Sequence, residues 1–425
     1  MSTRPQDNQP QLQRRLGVFD AVVIGLGSMV GAGIFAALGP AAAAAGSGLL
    51  VGLAVAAVVA YCNATSSARL AARYPQSGGT YVYGRERLGD FWGYLAGWSF
   101  VVGKTASCAA MALTVGAYVW PAYAHAVAVA AVVALTAVNY RGVQKSALLT
   151  RMIVAVVLAV LALVVVVSLS SGHADVDRLD IGADITVGGV LQAAGLLFFA
   201  FAGYARIATL GEEVRDPART IPRAIPLALG ITLVVYAVVA VAVLAVLGAD
   251  RLGSSAAPLA DAVRAAGVGW LVPVVQVGAA IAALGSLLAL VLGVSRTTLA
   301  MARDHHLPHV LAVVHPRFQI PHRAELAVAA VVIVVAATVD VRGAIGFSSF
   351  GVLIYYAIAN AAAWTLTPEQ GRPPRIVPVI GVAGCVVLAF ALPLVSVIVG
   401  AAVIVAGAVL YGLLRTLRSS SPTSP

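Results

Sequence analysis

The chain has 425 residues, of which 60% are hydrophobic and only 10% charged, and its mean hydropathy is +0.95. Charged residues make up about a quarter of an ordinary soluble protein, so this composition excludes that class and indicates an all-α integral membrane protein in the lipid bilayer. The formal net charge of +10 would also suit a nucleic acid partner, but the positions of the basic residues, described below, assign the charge to membrane topology.

Twelve apolar stretches are long enough to be transmembrane helices, judged with windows of about 19 residues. The polar segments 1–15 and 415–425 flank them, and we expect a disordered cytoplasmic N-terminus and a cytoplasmic tail. No apolar stretch with a cleavage site precedes the first span, so no secretory signal peptide is expected. The predicted spans are 18–41, 47–66, 90–118, 122–140, 150–170, 187–209, 223–247, 270–300, 324–340, 343–366, 376–392 and 394–414.

The basic residues predict the orientation of these spans. Twenty-one of the 27 Lys and Arg residues fall in segments on one side of the membrane, and only Arg178, Arg251, Arg264 and Arg342 fall on the other. Positively charged loops stay in the cytoplasm, so both termini are predicted to be cytoplasmic and the protein to lie in the cytoplasmic membrane. Nucleic acid is not an expected partner. The basic segments are 4–15, 69–87, 141–151, 215–223, 296–323, 372–375 and 415–418.

Two predicted spans are interrupted near their middle. The first contains GLGSMVGAGIF at 25–35, and the sixth contains FAFAGYAR at 199–206. Unwound backbone survives at membrane depth only where it is buried or lines a cavity, because lipid offers it no hydrogen bonds. A matching pair of interruptions, one in each half of a hydrophobic chain, is typical of a transporter whose substrate site lies between inverted repeats.

Three segments resemble one protein family. GSMVGAGIF at 27–35, FFAFAGYARIATLGEEVRDPARTIPRAI at 198–225 and SRTTLAMARDHHLPHVLAVVHPRFQIP at 295–321 are similar to spans 1, 6 and 8 and their loops in the amino acid–polyamine–organocation superfamily. They are most similar to its cationic-amino-acid-transporter-like permeases. The motifs carry this resemblance over 16–325, and beyond 325 only the span pattern does.

The resemblance implies a leucine-transporter-like fold with broken helices 1 and 6. Spans 1–5 (16–170) and 6–10 (187–366) would form two inverted repeats, and spans 11–12 (376–414) would be peripheral. It further implies a secondary transporter for a small-molecule amino acid. No enzymatic activity, cofactor or metal is expected.

A broken helix suits a zwitterionic substrate. It exposes N–H groups where it restarts and carbonyl groups where it stops, each end carrying about half a unit charge. We therefore expect the amides of Gly31, Ala32 and Gly33 to bind a carboxylate. The carbonyls near Ser28 and Met29 in the first break, and near Phe199 and Ala202 in the second, are expected to bind an ammonium. The alternative is that the glycines only permit close helix packing. The predicted substrate-binding residues are Ser28, Met29, Val30, Gly31, Ala32, Gly33, Phe199, Phe201, Ala202, Gly203, Tyr204 and Ala205, with Phe201 and Tyr204 either aromatic lids or packing residues.

The chain departs from this family at the position that governs side-chain selectivity. Where many relatives carry an acidic residue after the glycine–aromatic pair of span 6, this chain has Ala205, and none of its 17 acidic residues falls in the middle of a span. A buried cationic head without a carboxylate is costly. A neutral amino acid is therefore the expected substrate. The alternative is a cationic amino acid, polyamine or other organocation held by aromatic rings or carbonyls.

Lys104 and Arg206 are the candidate coupling or gating residues. Lys104 lies about twelve residues, or roughly 18 Å, from the nearer end of span 3, too deep for its side chain to reach the membrane surface, so it is expected to face a water-filled cavity or to pair within the protein. It either replaces a coupling sodium ion, releases a proton during transport or binds the substrate carboxylate, or it has a structural role on the carbonyls of a broken helix. The absence of an acidic residue from the middle of any span, together with the presence of Lys104, favours sodium independence, with protons or exchange as the coupling mode. Arg206 is expected to pair with Glu212 or Glu213 at an inner gate or to reach the inner vestibule.

Two other functional classes remain as weaker alternatives. Asp304, His305, His306 and His309 suggest a metal site of an intramembrane metalloenzyme, but Pro308 should keep His305 and His309 off one regular helical face. An ion channel is disfavoured because no repeated pore loop is visible. Cys62, Cys108 and Cys385 lie in apolar spans without paired spacing, so we expect them to be core residues.

Overall fold

The computed structural model describes residues 16–75, 78–141, 147–182, 185–210, 213–318 and 320–419, which form α-helices joined by short 3-10 turns, without any β-strand. The predicted disordered segment 1–15, the tail beyond 419 and Glu212 lie outside the described residues. Of the described cysteines, all three are buried free thiols, as expected.

Seventeen α-helices follow one another in the part of the chain that the structure describes. They are α1 (Val18–Met29), α2 (Ala32–Ala36), α3 (Leu38–Ala45), α4 (Leu49–Arg73), α5 (Thr80–Leu88), α6 (Asp90–Val119), α7 (Ala124–Tyr140), α8 (Ala147–Ser170), α9 (Val187–Phe201), α10 (Ala205–Ala208), α11 (Pro217–Ser254), α12 (Pro258–Ala265), α13 (Val272–Arg303), α14 (His322–Thr338), α15 (Val341–Trp364), α16 (Ile376–Ala391) and α17 (Leu394–Ser419).

Ten helical segments of the described chain are long and apolar enough to cross a membrane, and they coincide with ten of the twelve predicted spans. The other two predicted spans, 324–340 and 376–392, correspond to α14 and α16, which have 17 and 16 residues. Helix α14 also begins with the polar residues His322, Arg323 and Glu325. The all-helical membrane fold is therefore confirmed, whereas twelve spans and two inverted repeats stay predictions.

The first predicted interruption is a true break in the helix. Helix α1 ends at Met29, Val30 and Gly31 leave the helical region with ψ angles of 47° and −138°, and α2 restarts at Ala32. The second is milder than expected. Helix α9 ends at Phe201, a 3-10 turn covers Ala202–Tyr204, and α10 follows at once.

The milder second break has a packing cause. Gly203 lies against the backbone of α1, so closely that a Cβ atom there would overlap the carbonyl group of Ser28. A 3-10 turn is sufficient to free the Ala202 carbonyl from the α-helical pattern. Two side-chain donors, described below, then satisfy it. No unwound segment is needed at this position.

Small residues bring the helices that surround the two breaks close together. Helices α6 and α15 cross at Gly103 and Gly351, where a Cβ atom on Gly351 would lie 3.0 Å from the Cα of Gly103. Such close contact lets dispersion forces stabilise helix pairs without a hydrophobic driving force. Helix α1 packs on α11, and α6 also packs on α13. The breaks thus lie at the centre of the bundle.

Helix α5 connects to the end of α13 on the predicted cytoplasmic side. The hydroxyl of Tyr81 donates to Asp304 at 2.5 Å, and the guanidinium of Arg85 forms an ion pair with the same carboxylate at 2.8 Å. Burial and the neighbouring Asp304 carboxylate raise the pKa of Tyr81 well above its usual value. Asp304, at the start of the loop that follows span 8, therefore holds the end of α13 against α5.

Candidate functional site

A cavity of about 190 Å³ lies where the two helix breaks meet. On α6 its lining runs from Met111 to Phe100, and on α13 from Ser286 to Ala300, toward the loops predicted to be cytoplasmic. One turn beyond Met111 and Ser286, three buried residues of α2, α6 and α13 close the other end: Ala32, Val115 and Ala283. Among the described residues, the cavity therefore extends toward the predicted cytoplasmic side and is closed at the other end by this packing.

Seven of the predicted site residues line this cavity. They are Ser28, Phe199, Ala202, Gly203, Ala205, Lys104 and Arg206. The other seven do not: Met29, Val30, Gly31, Ala32, Gly33, Phe201 and Tyr204. The first group comes from the end of α1, the second break and the middle of α6, so the structure brings together residues that are far apart in the sequence.

The glycines after the first break serve close packing in this structure. A Cβ atom at Gly33 would lie 2.6 Å from the Cα of Ala200 on α9, and one at Gly31 would overlap the hydroxyl of Ser286 on α13. Gly31 and Gly33 are both buried. The expected role of Gly31, Ala32 and Gly33 in binding a carboxylate stays a prediction.

The two aromatic residues of the second break also face away from the cavity. Phe201 packs on Tyr236 with ring centroids 5.1 Å apart, and Tyr204 packs on Tyr356 at 5.0 Å. Both Phe201 and Tyr204 are fully buried. These contacts agree with the packing alternative. To act as aromatic lids, the rings of Phe201 and Tyr204 would have to rotate toward the cavity.

Side-chain donors occupy the carbonyl groups that the breaks release. The hydroxyl of Tyr236 lies 2.5 Å from the Met29 carbonyl oxygen and 3.0 Å from that of Ala200. The Ala202 carbonyl accepts hydrogen bonds from Lys104 Nζ at 3.2 Å and from the Tyr356 hydroxyl at 3.3 Å. The carbonyls at Met29 and Ala202, two of those expected to bind an ammonium, are thus already partnered.

Lys104 is buried in the cavity wall, with 7% of its surface exposed. Among the described residues, only the Ala202 carbonyl accepts a hydrogen bond from its ammonium, and no carboxylate forms an ion pair with it. An ammonium carries three donors. Two of them remain for water or for an anionic group in the cavity.

The open end of the cavity carries Arg206 and Glu213. Their guanidinium and carboxylate groups lie 3.9 Å apart, and Arg206 also donates to the hydroxyl of Thr209 at 3.2 Å. The expected contact between Arg206 and Glu213 is therefore present. Among the described residues, the charged groups of the lining are the three cations Lys104, Arg206 and Arg296 and the carboxylate of Glu213.

Sequence analysis missed several lining residues, above all Ser286. Its hydroxyl donates to the Gly27 carbonyl at 3.1 Å, in the last turn before the first break. The sequence signal that could have identified Ser286 is the pair Gly285–Ser286 inside the apolar span 270–300. Ser107 was missed too, and its hydroxyl lies 2.6 Å from that of Ser348.

The histidines of the metal-site alternative are not on one helix. Helix α13 ends at Arg303, His305 adopts a left-handed conformation with φ of 58°, and His309 begins a separate 3-10 turn. The prediction that His305 and His309 share no regular helical face is confirmed, although their rings stack 5.3 Å apart. His306 instead lies 2.9 Å from the Tyr81 hydroxyl.

Comparison with known proteins extends over nearly the whole chain. The family model described as amino acid permease matches residues 16–414. An uncharacterized transporter of Mycobacterium tuberculosis is 77% identical, covering 97% of this chain and 94% of that protein. The branched-chain amino acid permease of Bacillus subtilis is 25% identical, covering 95% and 94%. Cationic amino acid transporter 4 of Homo sapiens is 27% identical, covering 86% of this chain and 62% of that protein.

Proposed function

Because this chain belongs to the amino acid permease family, it is a multi-pass membrane transporter and not an enzyme, and we propose that it carries a neutral amino acid across the cytoplasmic membrane by alternating access. Both termini lie in the cytoplasm in this proposal. Spans 1–5 and 6–10 act as the two inverted repeats around the cavity, with 376–414 outside them. In this proposal, the cavity opens toward the cytoplasm.

The observation that carries this proposal is the cavity between the helix breaks. It is closed by packed residues at one end and reaches Arg206 and Glu213 at the other. A site that is accessible from one side only is what alternating access requires, whereas a channel needs a continuous path. The ion pair of Arg206 with Glu213 is proposed as part of the inner gate.

The charges of the cavity favour a neutral substrate. Three cationic side chains and one carboxylate line it among the described residues, and the carboxylate lies at the open end beside Arg206. A cationic head would meet Lys104 at the deep end without a compensating anion, and burying such a charge is costly. A neutral side chain would meet mainly Phe100, Met111 and Phe199.

Lys104 supports a sodium-independent mechanism. Its ammonium lies against the carbonyl group that the second break releases, so a fixed positive charge already stands at this negative helix end. The remaining donors are proposed to bind the substrate carboxylate. Coupling is then to protons or to exchange of one amino acid for another.

A cationic amino acid is the second candidate substrate. The observation in its favour is the similarity to a transporter that is named for cationic amino acids, at 27% identity. The relative named for branched-chain amino acids is 25% identical but is matched over 94% of its length. These names alone do not decide between the two classes.

Uptake by purified protein in proteoliposomes tests the proposal. Radiolabelled L-leucine inside the vesicles should exchange with external leucine, and unlabelled neutral amino acids should compete better than L-arginine or L-lysine. Replacing sodium with potassium should leave the rate unchanged. Stronger competition by arginine, lysine or a polyamine would establish the cationic alternative instead.

A further inference from the structure

A buried carboxyl group outside the cavity carries an inference of its own. Glu325, in the first turn of α14, is fully buried, and neither of its carboxyl oxygens has a hydrogen-bond partner in the described part of the chain. No ion pair joins it to a described cation. An unpaired carboxylate in such a place costs several kcal/mol, whereas the neutral acid does not. The surroundings therefore favour the protonated acid.

Helix α7 faces Glu325 with a second unpartnered polar group. His125 Nδ1 lies 2.7 Å from the Ala336 carbonyl oxygen, and the rings of Tyr140 and His322 are 6.3 Å apart, so α7 and α14 run antiparallel. This register places Thr136 level with Glu325. The Thr136 hydroxyl is also buried without a hydrogen-bond partner among the described residues.

Asn139 connects the buried groups Glu325 and Thr136 to the wall of the cavity. It lies one turn from Thr136 on the same buried face of α7, and its Nδ2 donates to the Leu288 carbonyl on α13 at 3.3 Å. The next two residues of α13, Ala289 and Leu290, line the cavity. An ionised Glu325 would attract the Asn139 amide and compete with the Leu288 carbonyl for it more strongly than the neutral acid, whose carbonyl oxygen is a weaker acceptor.

The other titratable groups nearby leave Glu325 as the group that binds a proton. His322 lies one turn earlier on α14, with a buried Nδ1 that has no hydrogen-bond partner in the described chain and a ring 5.4 Å from that of His315. These imidazoles offer a path from the loop to Glu325. The remaining charged or titratable groups on the elements packed against α14 include His125 at its far end, Tyr140 beside His322, Lys104 on Ala202, Arg296 in the cavity and His309 on His305. Helix α6 adds Tyr94, which packs on Trp98, the buried Cys108, and Tyr118, whose hydroxyl donates to the Phe35 carbonyl. Asp90, Arg303 and Arg323 are exposed.

We propose that Glu325 is a proton-binding site and that the proton bound there is the one coupled to transport. The coupling half of this statement rests on the proposed function. Proton occupancy of Glu325 determines whether Asn139 holds the Leu288 carbonyl, and thereby how α7 and α14 pack on the helix that lines the cavity. The proton comes from the loop that precedes α14 and returns to it when water reaches Glu325.

Infrared spectroscopy tests proton binding without transport. The chain has five glutamates, Glu86, Glu212, Glu213, Glu325 and Glu369, so protein labelled with ¹³C on the glutamate side-chain carboxyl gives few bands. At neutral pH we expect a band of a protonated carboxylic acid in the wild type and in Glu369→Gln, an exposed control. Glu325→Gln should lose that band. Its absence from the labelled wild type would overturn the proposal even if Glu325→Gln failed to fold.

Proteoliposomes test the coupling. With an inward proton gradient, wild type and Glu369→Gln should accumulate L-leucine above the external concentration, and Glu325→Gln should only equilibrate it while keeping leucine exchange. Proton-driven accumulation by Glu325→Gln, or a strict need for sodium, would overturn the coupling role. If wild type moves no leucine in either assay, the substrate proposal fails, and the infrared band still decides whether Glu325 binds a proton.

Discussion

The ammonium of Lys104 lies 3.2 Å from the carbonyl oxygen of Ala202, and this contact joins the middle of α6 to the second helix break. The same carbonyl accepts a hydrogen bond from Tyr356 on α15. Three elements of the bundle thus meet at one oxygen atom beside the cavity. Any displacement of the second break during transport has to change these two bonds.

Replacing Lys104 tests whether this contact serves transport. Lys104→Ala removes the charge-assisted hydrogen bond that we propose Lys104 donates to the substrate carboxylate, worth about 1.5–3 kcal/mol, so we expect substrate affinity to fall by about tenfold to a hundredfold. Lys104→Arg keeps the charge but cannot release a proton at usable pH. It should retain binding if the ammonium holds the substrate carboxylate and lose proton movement if Lys104 titrates.

The measurement is leucine binding and uptake against sodium and proton gradients for all three proteins. Wild-type uptake should not respond to replacement of sodium by potassium. Sodium-dependent wild-type uptake, or full activity of Lys104→Ala, would show that Lys104 has only a structural role.

Gly33→Leu should abolish transport while the protein still inserts into the membrane. A Cβ atom there would lie 2.6 Å from the Cα of Ala200, and such overpacking costs about 1–3 kcal/mol. Gly230→Leu is the matched control, because its position on α11 is open. Uptake is measured after normalising for inserted protein, and normal uptake by Gly33→Leu would contradict the prediction.

The sequence predicted the helical membrane fold, the first break and the depth of Lys104, because hydropathy and glycine spacing are local signals. It did not predict that Gly33 packs on Ala200 or that Tyr236 occupies the Met29 carbonyl, since both contacts join residues far apart in the chain. The sequence predicted only that no acidic residue falls in the middle of a span, and the burial of Glu325 depends on how α7 and α13 pack around it. Patterns along the chain do not specify such packing.

Tyr81→Phe should lower thermal stability. The variant loses the 2.5 Å hydrogen bond to the partly exposed Asp304, worth about 1 kcal/mol after allowing for solvent. Tyr61→Phe, at an exposed position, is the control and should leave the melting temperature unchanged. An equal effect of the two variants would contradict this role of Tyr81.

The raised pKa of Tyr81 also predicts the pH dependence of stability. Above about pH 10 a tyrosine of the unfolded chain releases its proton, whereas Tyr81 keeps it in the folded protein. The folded state then binds more protons than the unfolded state, so stability falls as the pH rises. Tyr81→Phe should show a smaller fall over the same range in thermal unfolding experiments.

Ala205→Asp should shift selectivity toward cationic amino acids. Ala205 lines the cavity next to the second break, and a carboxylate there would offset the positive charge of Lys104, Arg206 and Arg296. Desolvating a cationic head then costs less, because an opposite charge compensates it. L-Arginine should compete with labelled leucine more strongly in Ala205→Asp than in wild type, whereas Ala205→Asn, of similar size but uncharged, should keep the wild-type ranking. If arginine already competes best in the wild type, or if Ala205→Asn changes the ranking as much as Ala205→Asp does, the charge of the cavity does not set the choice of substrate.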